Sequence, residues 1–474
     1  MKFGHIVLLA AALMLVTSCT ATTPGTGTAV SEKRIVQIDT SSWIPESFRT
    51  SPDSKRVAYA AKVGDEWFVV VNGKKGKRYD GIGAGTPIFS PDSQRVAYIA
   101  GVGDKQFVVV DRKEGKRYDG IEAGSLVFSP ASQHVAYIAK EGDKWLVVVD
   151  REEEKQYDYI GPGTLIFSQD GKRLAYMAGA DDKRFVVADG KEEKQYNDIG
   201  LGTIIFSPDS QQLAYAAQAG DRWFAVIDGK EGKRYDAMYA SSLVFSPNSQ
   251  HLAYIVRLDD KWFVVVDGKE GKQYDDIGAR SLVFSQDSQR LAYLARDGDE
   301  NVIVVDGKEE RRYEGVGAGA LIFSPDSKHV AYTAIVGDNE VVVVDGQEGK
   351  QYDSIGIGTL VFSPDSQRLA YTARVGDKWL VVVDGQEGKQ YDDIGADTLV
   401  FSPDSQHVAY TALITTYTAE ITNKWLVVAD EEEGKQYDQV LARGEKGVTF
   451  DSNDSLHYLA LDGISIYLVE QKVR

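Results

Sequence analysis

From Lys33 onward the chain alternates short apolar runs with turn residues at a fixed pitch. The dipeptide Phe-Ser recurs at 89, 128, 167, 206, 245, 284, 323, 362 and 401, each 39 residues after the last. Thr50-Ser51-Pro52 extends the series one step upstream, and Phe450-Asp451 extends it downstream after 49 residues, which makes eleven units. Within the unit Thr359–Asp397 the pattern predicts four short strands. Thr359–Ser363 is a β-rich run halted at Pro364, which has no N–H to give a ladder. Ser363-Pro364-Asp365-Ser366 suits a type I turn. Arg368–Ala373 alternates large and small side chains, and Gly376-Asp377 turns the chain into Trp379–Val383, an apolar run expected of a strand buried on both faces. Asp384-Gly385 signals a hairpin, and Lys389–Ile394 alternates polar and apolar residues as a half-exposed outer strand should.

A lone four-stranded sheet cannot bury both faces, so many such units must stack around an axis. The expectation is an all-β fold: a β-propeller of about eleven four-stranded, 39-residue blades. The Phe-Ser-Pro-Asp-Ser…Ala-Tyr pattern, complete at Phe362–Ser366 and Ala370-Tyr371, resembles the WD-repeat-like propeller repeats of TolB-type proteins across residues 33–474. That resemblance implies a fold and leaves the activity open. The last unit ends on Ser465–Val469 in the third-strand slot, while Lys33–Ile38 matches the fourth-strand slot. The N-terminal strand is therefore expected to complete the last blade and remove a free edge. Since single rings usually hold about four to eight blades, two tandem rings are expected in preference to one oversized ring.

The first residues read as an export signal. Lys2 precedes an apolar run from Ile6 to Val16, too short for the roughly 20 residues that cross a bilayer. Val16-Thr17-Ser18-Cys19 resembles the bacterial lipobox. The resemblance implies that residues 1–18 are a lipoprotein signal peptide and that Cys19 is lipidated. The Thr/Gly/Ala-rich stretch 19–32 then reads as a flexible tether, and 33–474 as the propeller. In the enteric pattern that this segment resembles, an Asp after the lipidated cysteine retains the protein at the inner membrane; Thr20 at that position implies the periplasmic face of an outer membrane if the source has one.

Charge and composition narrow the chemistry. With 53 Lys+Arg against 71 Asp+Glu the net charge is −18, which argues against a nucleic-acid partner. One cysteine excludes a disulfide framework and any multi-cysteine metal site. Of 25 tyrosines, eleven fill the second-strand slot and ten the fourth; six of seven tryptophans open third strands. Such regularity reads as packing between blades. His134, His251, His329, His407 and His457 share a slot with Arg56, Arg95, Arg173, Arg290 and Arg368, which reads as a solvated strand start. Gly83-Ala84-Gly85 and its equivalents lie between two strands, outside the strand-to-helix context of a phosphate loop. Asp451-Ser452-Asn453-Asp454 lacks the Gly and terminal Glu of a calcium loop. No catalytic residue, metal or cofactor is assigned, and the chain reads as a non-enzyme.

What departs from the repeat carries more information. Glu122, Tyr239, Ser241, Arg280 and Asp397 replace glycines of the axis-side loop, which makes them candidates for binding in the central opening. Ile414–Asn423 is a Thr-rich insertion in a second-to-third-strand hairpin, placed as a contact element. The leading expectation is a lipid-anchored extracytoplasmic propeller acting as a protein-binding or scaffolding module, with envelope proteins as partners and the membrane reached through lipid. A second reading is a small ligand or glycan in the axial channel. A third, ranked last, is a carboxylate-based hydrolase or lyase.

Overall fold

The computed structural model describes residues 30–317, 321–417, 421–441 and 447–473. Cys19 and the signal segment 1–18 lie outside the described residues. Blade 1 opens at Arg49; blades 2 to 11 open at Gly81, Gly120, Tyr159, Asp198, Ala237, Asp276, Gly315, Ser354, Asp393 and Gln439. Apart from one 3-10 turn at Pro45–Ser47, the described residues hold strands and turns only. None of their helices is long and apolar enough to cross a membrane.

Blade 9 shows the pattern. Its inner strand comes in two pieces, Ser354–Ile355 and Val361–Phe362, both antiparallel to the second strand Leu369–Val375. The third strand, Lys378–Val383, pairs on the other side, and the outer strand adds Gln386–Glu387 and a bridge from Tyr391 to Trp379. The outer strand is thus shorter than the expected Lys389–Ile394. Tyr391, 2% exposed, must stay against the next blade, so the chain crosses at Asp392 and Asp393–Ile394 already belongs to the inner strand of blade 10. Asp384 and Gly385 both have positive φ (51° and 77°), the type I′ geometry that suits the twist of the flanking strands.

The eleven blades form one ring. Eleven buried apolar clusters each join a blade to its successor. The last joins blade 11 to blade 1: Leu459 and Ile466 meet Phe48, Val57, Tyr59 and Phe68 through Val36 and Ile38. This overturns the expectation of two tandem rings, because closing a smaller ring would require an inner blade to pack on blade 1, and that interface belongs to blade 11. His457, 2% exposed, clasps the join, with Nδ1 2.7 Å from Asp451 and Nε2 2.8 Å from the Asp53 carbonyl of blade 1. Lys55 pairs with Asp451 at 3.1 Å across the same join.

The closing strand is present as expected. Val30–Gln37 pairs antiparallel with Ser465–Lys472, with a bulge between Arg34 and Val36. It begins before Lys33, so Val30–Glu32 belongs to the blade and not to a tether.

Neighbouring blades are joined by repeated polar bonds as well as apolar packing. The Asp365 N–H donates to Ser405 Oγ of the next blade at 3.0 Å. Arg368 pairs with Asp384 at 2.9 Å, donates to the Ser405 and Gln406 carbonyls, and lies over Phe401. The Arg slot is therefore an inter-blade staple and not merely a solvated strand start. Four histidines in that slot, His134, His251, His329 and His407, bond the equivalent turn carboxylate, as His134 does with Asp150 at 2.5 Å. Outer-strand and second-strand tyrosines of successive blades meet edge to face, for example Tyr391 and Tyr410 at 6.2 Å and 74°. Lys77–Glu114, Lys116–Glu153 and their equivalents link outer strands around the rim.

Candidate functional site

The inner strand of each blade is interrupted by a four-residue turn, and this turn places the candidate residues. In blade 2, Ile82 and Ile88 pair with Ala100 and Ala97, so six steps of one strand span three of its partner. The excess forms the turn Gly83-Ala84-Gly85-Thr86, closed by Thr86 N–H to Gly83 O at 3.3 Å. The third position has positive φ in Gly85 (78°), Gly124 (78°), Gly163 (69°), Gly202 (73°) and Gly358 (71°), which is the type II requirement, and Pro162 suits the second position. The Ser/Thr in the fourth position bridges the bulge. Thr398 Oγ1 donates to Gly395 O at 2.7 Å and accepts the Thr411 N–H at 3.0 Å. A second-strand N–H left unpaired by the bulge is thereby satisfied inside the blade.

The first position is closed to most side chains. A Cβ at Gly356 or Gly395 would lie 2.0 or 2.1 Å from the hydroxyl of Thr372 or Thr411. Glu122 and Tyr239 occupy this slot in blades 3 and 6, where the second strand presents Ile138 and Ile255 instead. At the third position Asp397 keeps the left-handed backbone at φ 61°, which Asp tolerates better than most residues. Ser241 and Arg280 do not; the turns in blades 6 and 7 close the same hydrogen bond, Ser242 N to Tyr239 O and Ser281 N to Gly278 O, without a left-handed residue.

These residues do not gather into one axial site. Glu122 stands in blade 3 and Asp397 in blade 10, with other blades between them and the rest. Only Tyr239, Ser241 and Arg280 are neighbours, on blades 6 and 7, where Ser241 Oγ lies 3.5 Å from the Ala279 carbonyl. Tyr239 turns toward the blade interface. Its ring stacks on Trp262 at 4.0 Å and 5°, and its hydroxyl donates to Asp276 Oδ1 at 2.9 Å. Burial, then that hydrogen bond, pushes the Tyr239 phenol up to about 12. Arg257 lies over the same Trp262 at 5.6 Å, and Arg296 sits 3.6 Å from Asp276. Arg280 and Asp397 are exposed.

Two features escaped the sequence reading. The second position of the turn, usually Ala, is Leu201 in blade 5 and Ile357 in blade 9, exposed by 54% and 77%. Their signal was a large apolar residue at a slot of small ones. Second, on either side of residues 418–420, which lie outside the described residues, the insertion Ile414–Asn423 is paired strand. The strands run Val408–Tyr417 and Ile421–Ala429, with Thr415 facing Asn423 and Thr416 facing Thr422. Second strands in blades 1 to 9 are seven residues long, whereas this one has ten, so the hairpin stands out from that end of the ring. Its base is pinned where the Thr415 N–H donates to Asp392 at 2.7 Å.

Among the described residues no group of three or more His, Cys, Asp or Glu is placed to hold a metal ion. Asp451 is engaged by His457 and Lys55, and Asp454 by Ser452 and Lys472.

No protein-family profile matches the chain, and no curated protein matches it by sequence. Similar solved structures include a eukaryotic initiation factor, with 12% identity, TM-score 0.41, and coverage of 75% of this chain and 99% of that one. TolB from Acinetobacter baumannii has 12% identity and TM-score 0.25 over 56% of this chain and 84% of its own. The tricorn protease has 11% identity and TM-score 0.30 over 88% and 54%. Likeness at this level assigns no activity, and the chain's own geometry defines its class: a single-ring, eleven-bladed β-propeller closed by its N-terminal strand.

Proposed function

We propose that this protein is a lipid-anchored, extracytoplasmic propeller that serves as a protein-binding scaffold of the cell envelope. The observation that carries the reading is the blade 10 hairpin. The repeated positions are spent on joining blades, and this paired, pinned extension is the largest departure from the repeat on a rigid ring. A hairpin of that kind offers backbone and threonine hydroxyls to a partner at low ordering cost. Anchoring rests on the lipobox-like Val16–Cys19. The test is affinity capture of envelope proteins with the whole chain and with residues 414–423 deleted. Loss of a partner on deletion, with an unchanged melting temperature, supports the reading; an unchanged partner set refutes it. Replacing Cys19 by Ser should release the protein from membranes.

A second reading, a small ligand or glycan at the inner rim of blades 6 and 7, is favoured by the Tyr239–Trp262 stack beside exposed Arg280. A binding signal against a glycan panel that disappears in Arg280→Gly would support it.

A further inference from the structure

The acidic total hides a basic belt. The outer strands of blades 11, 1 and 2 are adjacent because the ring closes, and they carry Lys33 and Arg34, then Lys74, Lys75, Lys77 and Arg78, then Lys113, Lys116 and Arg117, all exposed. Around the rim one outer-strand Lys or Arg per blade pairs with a Glu of the next, from Lys77–Glu114 to Lys435–Glu32. In blade 1 that Glu slot holds Lys75, so the series breaks at the closure. Lys33, Arg34, Lys74, Arg112 and Lys113 make no ion pair among the described residues. Glu114 is already taken by Lys77, whose hydrogen bond holds its carboxyl below the ordinary range.

The turns beside this belt supply a second, independent observation. In most blades the third-to-outer-strand turn is Asp-Gly with the Gly left-handed, as at Gly190, Gly229, Gly268 and Gly307. Blades 2 and 3 place Arg112 (φ 67°) and Arg151 (φ 83°) there instead. An arginine in that region is strained, and strain of this kind is retained where something else requires the side chain. Each lines a cleft between blades. One, of about 340 Å³, is lined by Arg95, Lys113 and Arg151 together with Asp111 and Asp150; the other, of about 320 Å³, by Arg56, Lys74 and Arg112 with Asp111, which pairs with Arg95.

We propose that this belt is a docking surface for an anionic phospholipid bilayer, with headgroup phosphates seated at the two arginine-lined clefts. The choice of occupant rests on where the chain leaves the ring. The closing strand is itself part of the belt, and the eleven residues from Cys19 to Ala29 reach at most about 40 Å even when fully extended. An anchor at Cys19 would therefore keep this edge within about 40 Å of the membrane. The inference rests on the lipid-anchor reading, and a basic edge held beside anionic lipid gains further attraction. Anchor and belt would then form the two signals that stable membrane attachment needs.

The test uses the chain from Thr20 onward, which keeps the whole ring and has no lipid, so the outcome does not depend on anchoring. It is sedimented with vesicles of equal parts phosphatidylglycerol and phosphatidylcholine, and with phosphatidylcholine alone. Binding is expected to the anionic vesicles only and to fall with added salt. Each cation facing the surface is worth about fivefold. The variant Lys33→Glu/Lys74→Glu/Lys75→Glu/Lys113→Glu should therefore lose at least about 600-fold, the effect of removing four cations before the added repulsion of the carboxylates, while Lys172→Glu/Lys191→Glu/Lys230→Glu/Lys269→Glu, on other blades, should retain most of the binding. Thermal melting of both variants checks that the ring is intact. Equal affinity for the two vesicle types, no binding, or unchanged binding by the belt variant would overturn the proposal. So would capture of heparin without capture of vesicles, which would assign the belt to a soluble anionic polymer.

Discussion

Truncating the closing strand at Val36 and Ile38 should open the ring at one place. These residues are 6% and 3% exposed, and they pack among Phe48, Phe68, Leu459 and Ile466 from the two ends of the chain. Val36→Ala/Ile38→Ala removes roughly five buried carbons, worth about 0.8 kcal/mol each. The transfer loss is thus about 4 kcal/mol, and any cavity left behind adds to it. In a structure where each blade touches only its neighbours, that loss is felt first by the two blades sharing the interface. Blades 1 and 11 would each be left with one sound interface. Amide hydrogen exchange should rise by up to about a thousandfold in Val57–Val71 and in Ser455–Lys472, while the strands of blades 5 and 6 keep their protection. Ile355→Ala/Val382→Ala, a matched change at the interface of blades 8 and 9, should move the loosening to those blades. Exchange that rises evenly around the ring, or leaves blades 1 and 11 protected, would refute closure through this strand.

Three further outcomes follow from local geometry. Burial pushes the Tyr137, Tyr254 and Tyr293 phenols up to about 12, so the folded chain keeps protons that the unfolded chain releases above about pH 10. Stability should be unaffected by these groups below that pH and fall steadily above it, as denaturant titrations at successive pH values would show; a flat alkaline profile would contradict the burial. Gly395→Ala should lower stability by about 1–3 kcal/mol, because its Cβ would meet the Thr411 hydroxyl at 2.1 Å inside the blade. Thermal melting reads this directly, and a neutral result would mean that the turn can shift. Arg151→Gly should raise stability by up to about 1 kcal/mol by relieving a left-handed arginine, and a lower melting temperature would show that the side chain is held by contacts that outweigh the strain.

The candidate residues show where legibility stops. Glu122, Tyr239, Ser241, Arg280 and Asp397 stood out because they replace glycines in a regular slot; the sequence reading placed that slot between an outer and an inner strand, whereas it interrupts the inner strand itself. Which of them share a site depends on blade position around one ring, and that separates Glu122 and Asp397 from the other three. The environment of Tyr239 was equally hidden, since its stack on Trp262 joins residues from two strands and its hydrogen bond reaches the next blade. The arginine slot was misread for a related reason. Sharing a position with histidine suggested solvent, whereas the guanidinium reaches carbonyls that lie 37 and 38 residues further along.

The repeat by itself determined the blade. The 39-residue period, the Asp-Gly turns and the two tyrosine slots are local or nearest-neighbour properties, written once and copied, so periodicity exposes them. It also pointed to the closing strand, because an incomplete last unit and an orphan first strand complement each other. Tertiary structure decided the number of rings and the company each charge keeps. The angle between successive blades is set by how side chains fill both ends of an interface, and small differences there accumulate over eleven steps. Only once the ring shuts does the closing strand, with Lys33 and Arg34, become the neighbour of blade 1, with Lys74 and Lys75, bringing cations from two distant parts of an acidic chain to one edge.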